Sequence, residues 1–306
     1  MLKLFRALII EIVALLTLGL YLIGSAMLIA LVLQLVRRLL SLFYANVPQI
    51  TDLHAFGISA LVTVFWAMVA HVIPGLIETL TDIEVGARKP SEREKKQLAD
   101  ALELVQLQAT TANVALPRIV LRVIDQTGEN AVAYTRNRVA VTSGLLITTQ
   151  TRDNGLLELG SVIAHEMGHL RHWDTRWQML SRLLMAPYNF LIKVIIRMLG
   201  PIPLVGPVSI LILMALSVPV RIANSLLPLT SRLQEFRADE FAFRLVGPSG
   251  IASLFDSMYR RENVAGSGLF AYWVRSHPPI ELRRDRLLKL ADKVSNSTVV
   301  HSAERA

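Results

Sequence analysis

The sequence contains no cysteine among its 306 residues. Disulfide bonds and thiolate metal ligands are therefore excluded, and any metal site must be built from histidine and carboxylate side chains. Charged residues are also scarce, at 18%, whereas apolar residues make up 53% of the chain and the mean hydropathy is +0.46. About a quarter of the residues of a soluble domain are charged. The chain thus carries more apolar surface than a water-soluble fold buries, and we expect it to lie in a lipid bilayer.

The basic residues are distributed as in a membrane protein. The formal net charge is +8, but a nucleic-acid-binding surface would need basic residues gathered on one face and interleaved with aromatic ones. The densest basic cluster instead lies between Arg88 and Lys96, directly after an apolar stretch. Basic segments beside membrane spans are typical of the cytoplasmic side. We therefore expect no nucleic-acid partner, and we expect the N-terminus and the chain after Leu80 to lie in the cytoplasm.

Four apolar stretches predict membrane helices. The first, Ala7–Val36, is long enough to cross a bilayer and ends in no cleavage motif, so it predicts an anchor rather than a removable signal peptide. The second covers Ala55–Leu80. Charges interrupt the third, Met179–Leu199, and prolines interrupt the fourth, Ile202–Val220. The last two predict either a transmembrane hairpin or a re-entrant pair.

The polar segments predict helices and a small sheet. Ser91 is followed three residues later by Glu94, which is the pattern of a capping box at a helix start. Three short segments between residues 118 and 142 are rich in β-branched side chains and predict a small β-meander. The chain as a whole is therefore expected to be a mainly α integral membrane protein.

The segment His165-Glu166-Met167-Gly168-His169 carries the chemistry. Residues i and i+4 of an α-helix lie on one face, so His165 and His169 can bind one metal ion. Glu166 projects to the side of the pair, where it can accept a proton from a metal-bound water. Two ligands, an open position and a base are what a zinc hydrolase requires. The flanking residues are apolar, and burying such polar groups is costly unless a cation pairs them.

Glu235 is the best candidate for a third ligand. Asp239 lies four residues further on a second predicted helix, so both side chains can face the metal. Glu235 would then bind it, while Asp239 would accept the second N–H of a ligand histidine and fix its tautomer. By itself this spacing of two acidic residues is typical of a solvated helix face. It indicates a metal ligand only because the same chain contains the histidine motif.

These segments resemble the HtpX heat-shock proteases, bacterial relatives of the CaaX prenyl proteases. The resemblance covers most of the chain. It is carried by Val139–Leu146, His165–His169 with Asp174, Glu235–Asp239, and Ser276-His277-Pro278-Pro279 followed by Arg283.

The resemblance implies a gluzincin-like α+β zinc protease domain. It implies that His165, His169 and Glu235 bind one zinc ion per subunit, that Glu166 is the general base, and that Asp239 supports the site. It also implies that His277 lies near the oxyanion. A helix-capping role of the His-Pro pair is an equally open alternative.

A substrate-binding strand is implied as well. Asn130 and Ala131 match an Asn-Ala pair with which the family contacts the substrate backbone. The next residue, Val132, stands where the family usually has an aromatic residue, and Thr135 replaces a glycine. Asp174 is expected to be structural, and His172 is expected not to be a ligand.

We expect a zinc-dependent membrane endopeptidase that cleaves misfolded or damaged membrane proteins in quality control, with stress response as its setting. Its site would face the cytoplasm from the cell inner membrane. The alternatives are a metal-stabilised, non-proteolytic scaffold or chaperone, and a narrow-specificity prenyl-protein protease. The expected parts are two transmembrane helices in 1–80, catalytic segments in 81–178 and 230–294, the hydrophobic hairpin in 179–229, and a disordered tail in 295–306.

Overall fold

The chain is mainly helical in a computed structural model that describes residues 2–73, 75–262 and 278–289. It forms two compact units, of which the first contains Met1–Ile77 and Trp177–Thr230, and the second contains Glu78–Arg176 and Ser231–Ala306. The described helices are α1 (Leu2–Ser41), α2 (Asp52–Val72), α3 (Leu76–Val85), α4 (Glu92–Thr111), α5 (Ser143–Gln150), α6 (Gly155–Arg171), α7 (Asp174–Leu199), α8 (Val205–Leu216) and α9 (Val218–Glu262), and residues 280–289 are also helical. Helix α9 is kinked at Gly247, where φ is 66°. The strands are β1 (Ala87–Arg88), β2 (Val120–Ile124), β3 (Ala131–Tyr134) and β4 (Arg138–Thr142).

Several helices are long and apolar enough to cross a bilayer. Among the described residues the candidates are Phe5–Ser41, Asp52–Val72 and Asp174–Leu199, with mean hydropathies of 2.4, 1.9 and 1.4. Helices α8 and α9 pass the same criterion only as a pair, which bends by 51°. Large apolar side chains cover these helices, for example Leu61 at 71% exposure and Phe65 at 68%. Lipid is the environment that such a surface requires, so the protein is a membrane protein with three candidate spans, or four if the bent pair is one span.

The second apolar stretch is divided between two helices. The sequence predicts one span over residues 55–80, but α2 ends at Val72 and α3 begins at Leu76. Between them, Gly75 adopts the left-handed conformation, with φ of 75°. A continuous right-handed helix cannot contain such a residue, and glycine adopts this conformation without steric cost. The candidate span in this stretch therefore ends at Val72, and Leu76–Val85 forms a separate helix.

Polar contacts and a small residue join the helices of the first unit. The Ser25 hydroxyl of α1 donates a hydrogen bond of 2.6 Å to the Leu184 carbonyl of α7. A Cβ atom on Gly24 would lie 2.6 Å from the Cγ2 atom of Val220 on α9. Close backbone approach and interhelical hydrogen bonds stabilise helix packing in lipid, where burying apolar surface provides little driving force.

The sheet of the second unit has the strand order β1-β2-β4-β3. The small predicted sheet is confirmed, but the expected meander is wrong, because β2 pairs in parallel with β4 rather than with β3. The connection between β2 and β3 crosses the start of α5, where the Gly144 N–H donates to the Gln126 carbonyl. A Cβ atom on Gly144 would lie 2.1 Å from the Thr127 carbonyl oxygen. Glycine at this position therefore permits the crossing.

Helix α6 lies at the centre of the second unit. The largest hydrophobic cluster of the described residues packs it against α4, α5, the sheet, α9 and residues 280–289. Apolar packing on several faces fixes the position of the helix that carries the histidine motif. Its side chains in this cluster are Leu159, Val162, Ile163, Ala164 and Met167.

Candidate active site

The C-terminal half of α6 carries His165, Glu166 and His169. His165 is 3% exposed and Glu166 is 9% exposed, so the motif is buried. The imidazole rings of His165 and His169 lie edge to face, with 5.0 Å between their centroids. This is the shared helix face that the spacing of the motif predicts.

Helix α9 packs closely against α6 at Gly168. A Cβ atom on Gly168 would lie 2.7 Å from the Ala238 Cα atom, which is closer than side chains pack against a backbone. This contact places Glu235 against both histidines. The Oε2 atom of Glu235 is 3.4 Å from His165 Nε2, and its Oε1 atom is 3.5 Å from His169 Nε2.

The three side chains fit a divalent metal ion. Their potential ligand atoms lie within 4.8 Å of one another. In a tetrahedral zinc site with bonds of about 2.0–2.1 Å, ligand atoms are about 3.3 Å apart. The distances of 3.4 and 3.5 Å from the imidazole nitrogens to the carboxylate oxygens are close to that value. Two imidazoles and one carboxylate are also a donor set of catalytic zinc sites, which keep a fourth position for water.

The electrostatics of the cluster favour a cation. Burial lowers the pKa of the His165 imidazole, but the carboxylates of Asp239 and Glu235 outweigh this effect and raise the pKa above its ordinary value. Burial likewise opposes protonation of His169, and Asp174 together with Glu235 raises its pKa well above the ordinary value. Negative charge thus exceeds positive charge around the imidazoles, and a metal ion would offset it.

A carboxylate contacts the far nitrogen of each imidazole. His165 Nδ1 lies 3.1 Å from Asp239 Oδ1, and His169 Nδ1 lies 3.1 Å from Asp174 Oδ2. Both contacts leave Nε2 directed toward Glu235, the orientation that a ligand histidine needs. The sequence predicts that Asp239 contacts a ligand histidine in this way. For Asp174 it predicts only a structural role and not the contact with His169. The turn at Trp173, with φ of 67°, brings Asp174 back to His169.

Arg283 completes the buried charge network. It is 3% exposed, and it donates two hydrogen bonds of 2.8 and 2.6 Å to the Asp239 carboxylate. Its Nη1 atom also lies 3.2 Å from Glu235 Oε2. Burial raises the pKa of Asp239, but the charge of Arg283 reverses that effect and lowers it. The sequence analysis names Arg283 only as part of the resemblance to the HtpX proteases. No local sequence pattern predicts its contact with Asp239, which lies 44 positions earlier in the chain.

Glu166 faces the edge strand β3. Its Oε2 atom accepts a hydrogen bond of 2.6 Å from the Ala133 N–H. In the antiparallel pairing of β3 with β4, the Thr142 N–H donates to the Asn130 carbonyl. Along such a strand the backbone N–H and C=O groups of successive residues point alternately toward the paired strand and away from it. Because those of Asn130 point toward β4, those of Ala131 and Ala133 point away from it. The structure therefore places Asn130 and Ala131 at the start of the strand that Glu166 contacts.

A model of peptidase family M48 matches residues 92–291, about two thirds of the chain. The chain belongs to peptidase family M48. Among its relatives, the protease HtpX homolog of Acaryochloris marina is 30% identical over 220 residues, which cover 62% of this chain and 72% of the relative. The protease HtpX homolog of Limosilactobacillus fermentum is 27% identical over 254 residues, which cover 69% of this chain and 80% of the relative. The resemblance to the HtpX proteases is confirmed.

Among solved structures, the crystal structure of S. mikatae Ste24p is similar at 17% identity and a TM-score of 0.43. The similarity covers 76% of this chain and 57% of the Ste24p chain.

Membership of the M48 family establishes the coarse activity. The protein is a metalloprotease, it acts on protein substrates, and its candidate spans associate it with a lipid bilayer. The predictions of a metalloprotease and of a mainly α membrane fold with a small sheet are thereby confirmed.

Two further histidines of this M48 peptidase, His172 and His277, belong to the segments around the predicted site. His172 Nδ1 lies 2.8 Å from the Gly168 carbonyl oxygen, so this side chain turns onto its own helix. His277 lies outside the described residues, and so does the predicted disordered tail over 295–306. Within the described part of the chain, His165, His169 and Glu235 form the one group with metal-ligand geometry.

Proposed function

We propose that this M48 peptidase is a zinc endopeptidase in which His165, His169 and Glu235 hold the metal and Glu166 is the general base. The observation that carries the proposal is the convergence of three ligand atoms within 4.8 Å at a buried position, directly beside Glu166. Asp239 supports His165 in this arrangement.

The protein groups around the metal have separate tasks. When bound, zinc would act as a Lewis acid and lower the pKa of its water to about 7. Glu166 would take the proton from the attacking water and then deliver it to the leaving amine. Asp239 and Asp174 would hold the imidazoles of His165 and His169 in the ligand tautomer. His277 remains a predicted donor to the oxyanion.

The edge of β3 supplies a surface for the substrate backbone. The carbonyls of Ala131 and Ala133 lie on the side of β3 away from β4, because the direction of the backbone groups alternates along the strand. The Ala131 N–H donates to Asn130 Oδ1. An extended peptide would add to this edge as a further strand, with Asn130 at its start. Backbone pairing discriminates weakly between sequences. It therefore supports the cleavage of unfolded segments of many proteins.

The cellular setting follows from charge and from the spans. The basic cluster between Arg88 and Lys96 favours a cytoplasmic position for the catalytic segments. We propose that they correspond to 81–178 and 230–294, separated by the hydrophobic segment 179–229 and preceded by two spans in 1–80. A broad protease at this face of the inner membrane would remove misfolded or damaged membrane proteins during stress.

The test compares wild type with Glu166→Gln in a casein-cleavage assay. Chelation should abolish cleavage by wild type, and added zinc should restore it. Glu166→Gln should keep one zinc per chain by elemental analysis and lose cleavage by at least about 100-fold, a typical contribution of a general base. Glu103→Gln on α4 is the matched control, because this carboxylate is exposed. Cleavage by Glu166→Gln at the control rate would exclude Glu166 as the base, and zinc binding without any chelator-sensitive cleavage would favour a scaffold.

A further inference from the structure

The second unit contains a basic cavity of about 470 Å³ that the proposed chemistry does not use. Pockets for small ligands typically measure about 300–1,000 Å³. Four arginines line it, together with Asn137 and Trp173, and none of the lining residues is acidic. They come from three separate segments of the chain and are Arg118, Arg136, Arg171 and Arg176.

The charge of these arginines is mostly uncompensated. Arg118 and Arg171 are exposed and contact no carboxylate among the described residues. Arg176 stacks on the Trp173 ring at 4.2 Å. Arg136 lies 3.6 Å from Glu78, the single acidic contact of the group, and its Nε and Nη2 atoms form no hydrogen bond with the described residues. Four guanidinium groups thus share one carboxylate.

Other arginines of the same unit show the contrast. Seven of them each lie within 3.2 Å of a carboxylate oxygen, which is the usual partner of a guanidinium group. These seven are Arg88, Arg122, Arg138, Arg152, Arg237, Arg244 and Arg283. Like-charged side chains that converge on a cavity without such partners form a site for an anion.

The chemistry of the cavity points to a phosphate group. Guanidinium groups bind phosphate oxygens with paired N–H donors, and the Asn137 amide adds a further donor. Trp173 is 55% exposed at the cavity and immediately precedes α7, whose residues from Asp174 onward form a candidate span. Tryptophan beside the start of a span is typical of the lipid headgroup level. Leu116 and Leu170 add an apolar part to the lining.

We propose that this cavity binds the phosphate of an anionic phospholipid headgroup. Basic pockets beside membrane spans recognise such headgroups, and each basic residue near the surface contributes about fivefold to lipid affinity. The proposal concerns binding and is independent of the zinc chemistry.

The test measures lipid binding to the full chain in detergent by native mass spectrometry, which resolves each bound molecule. The probes are phosphatidylglycerol, phosphatidylcholine with the same acyl chains, and inorganic phosphate. The double variant Arg118→Gln/Arg171→Gln removes two unpaired charges from the cavity. Lys95→Gln/Lys96→Gln removes the same charge from exposed positions of α4 and is the matched control. Circular dichroism verifies that all variants remain helical.

The first phosphatidylglycerol should bind wild type more tightly than phosphatidylcholine does. The double arginine variant should weaken that first event by about 25-fold, and Arg171→Gln alone should weaken it by about fivefold. The lysine control should remain within twofold of wild type. Equal binding of the two lipids, or equal losses in the two double variants, would overturn the cavity as the site. Inorganic phosphate binding as tightly as phosphatidylglycerol would assign it to a soluble phosphate instead.

Discussion

Replacing Gly168 by alanine should damage the active site without touching any of its polar groups. The new Cβ atom would lie 2.7 Å from the Ala238 Cα atom, whereas ordinary contacts begin at 3.4 Å. Helices α6 and α9 must therefore separate by about 0.7 Å at this point. Glu235 lies on α9, one turn from Ala238, and would move away from both histidines of α6. Overpacking of this kind costs about 1–3 kcal/mol of stability, and a misplacement near 1 Å costs up to about 100-fold in rate.

The assay measures kcat/KM on casein, zinc content and thermal stability for Gly168→Ala beside Gly160→Ala. Gly160 lies on the same helix, but an added Cβ would meet the flexible end of Leu104 at 3.0 Å, which can move aside. We expect kcat/KM to fall by about 10–100-fold for Gly168→Ala and by less than twofold for Gly160→Ala. Wild-type kcat/KM and zinc content in Gly168→Ala would refute the view that this helix crossing sets the ligand geometry.

Three further changes test the surrounding groups. Asp174→Asn should weaken zinc binding by about 10–100-fold in a competition with a chelating dye, because it removes the carboxylate behind His169; unchanged affinity would leave Asp174 a purely structural role. Arg283→Met should destabilise the metal-free protein by about 3–5 kcal/mol in a denaturation experiment, because Asp239 loses its buried partner, and zinc should restore part of that loss. The pKa of Glu94 is lowered from 4.5 to about 2 by its bond to an arginine, so the stability that it contributes is complete above pH 4.5 and is lost as the pH falls toward 2. Glu94→Gln should flatten the melting temperature over that range, and a wild-type slope would contradict the assignment.

The spacing of residues within single helices predicts part of the site from the sequence. His165 and His169 share a helix face because of their separation, and Glu235 and Asp239 share another for the same reason. The capping box at Ser91 and Glu94 likewise forms as the sequence predicts, since both of its hydrogen bonds are local. Such features depend on residues within one or two helical turns, and helical periodicity alone determines them.

The features that the sequence does not predict depend on contacts between distant segments of the chain. The parallel pairing of β2 with β4 depends on how closely the chain passes Gly144, which no strand pattern reveals. Arg283 and Asp239 are opposite charges on separate helices, and many other pairs would be equally plausible from composition. The arginines of the basic cavity lie at positions 118, 136, 171 and 176. Only the fold brings them together.

The hydrogen bond between the Ala133 N–H and Glu166 also bears on where a substrate is cut. An added peptide strand can pair with the Ala131 carbonyl of β3, since the Ala131 N–H donates to Asn130 Oδ1. The next outward amide, that of Ala133, is held by the carboxylate of Glu166, the proposed base. The growing ladder would therefore end at the point where proton transfer begins. The last pairing position on the edge of β3 would then determine the cleavage site. Wherever an unfolded chain binds, the peptide bond just beyond that position would be the one presented for cleavage. Position along the strand, rather than side-chain identity, would then select the scissile bond.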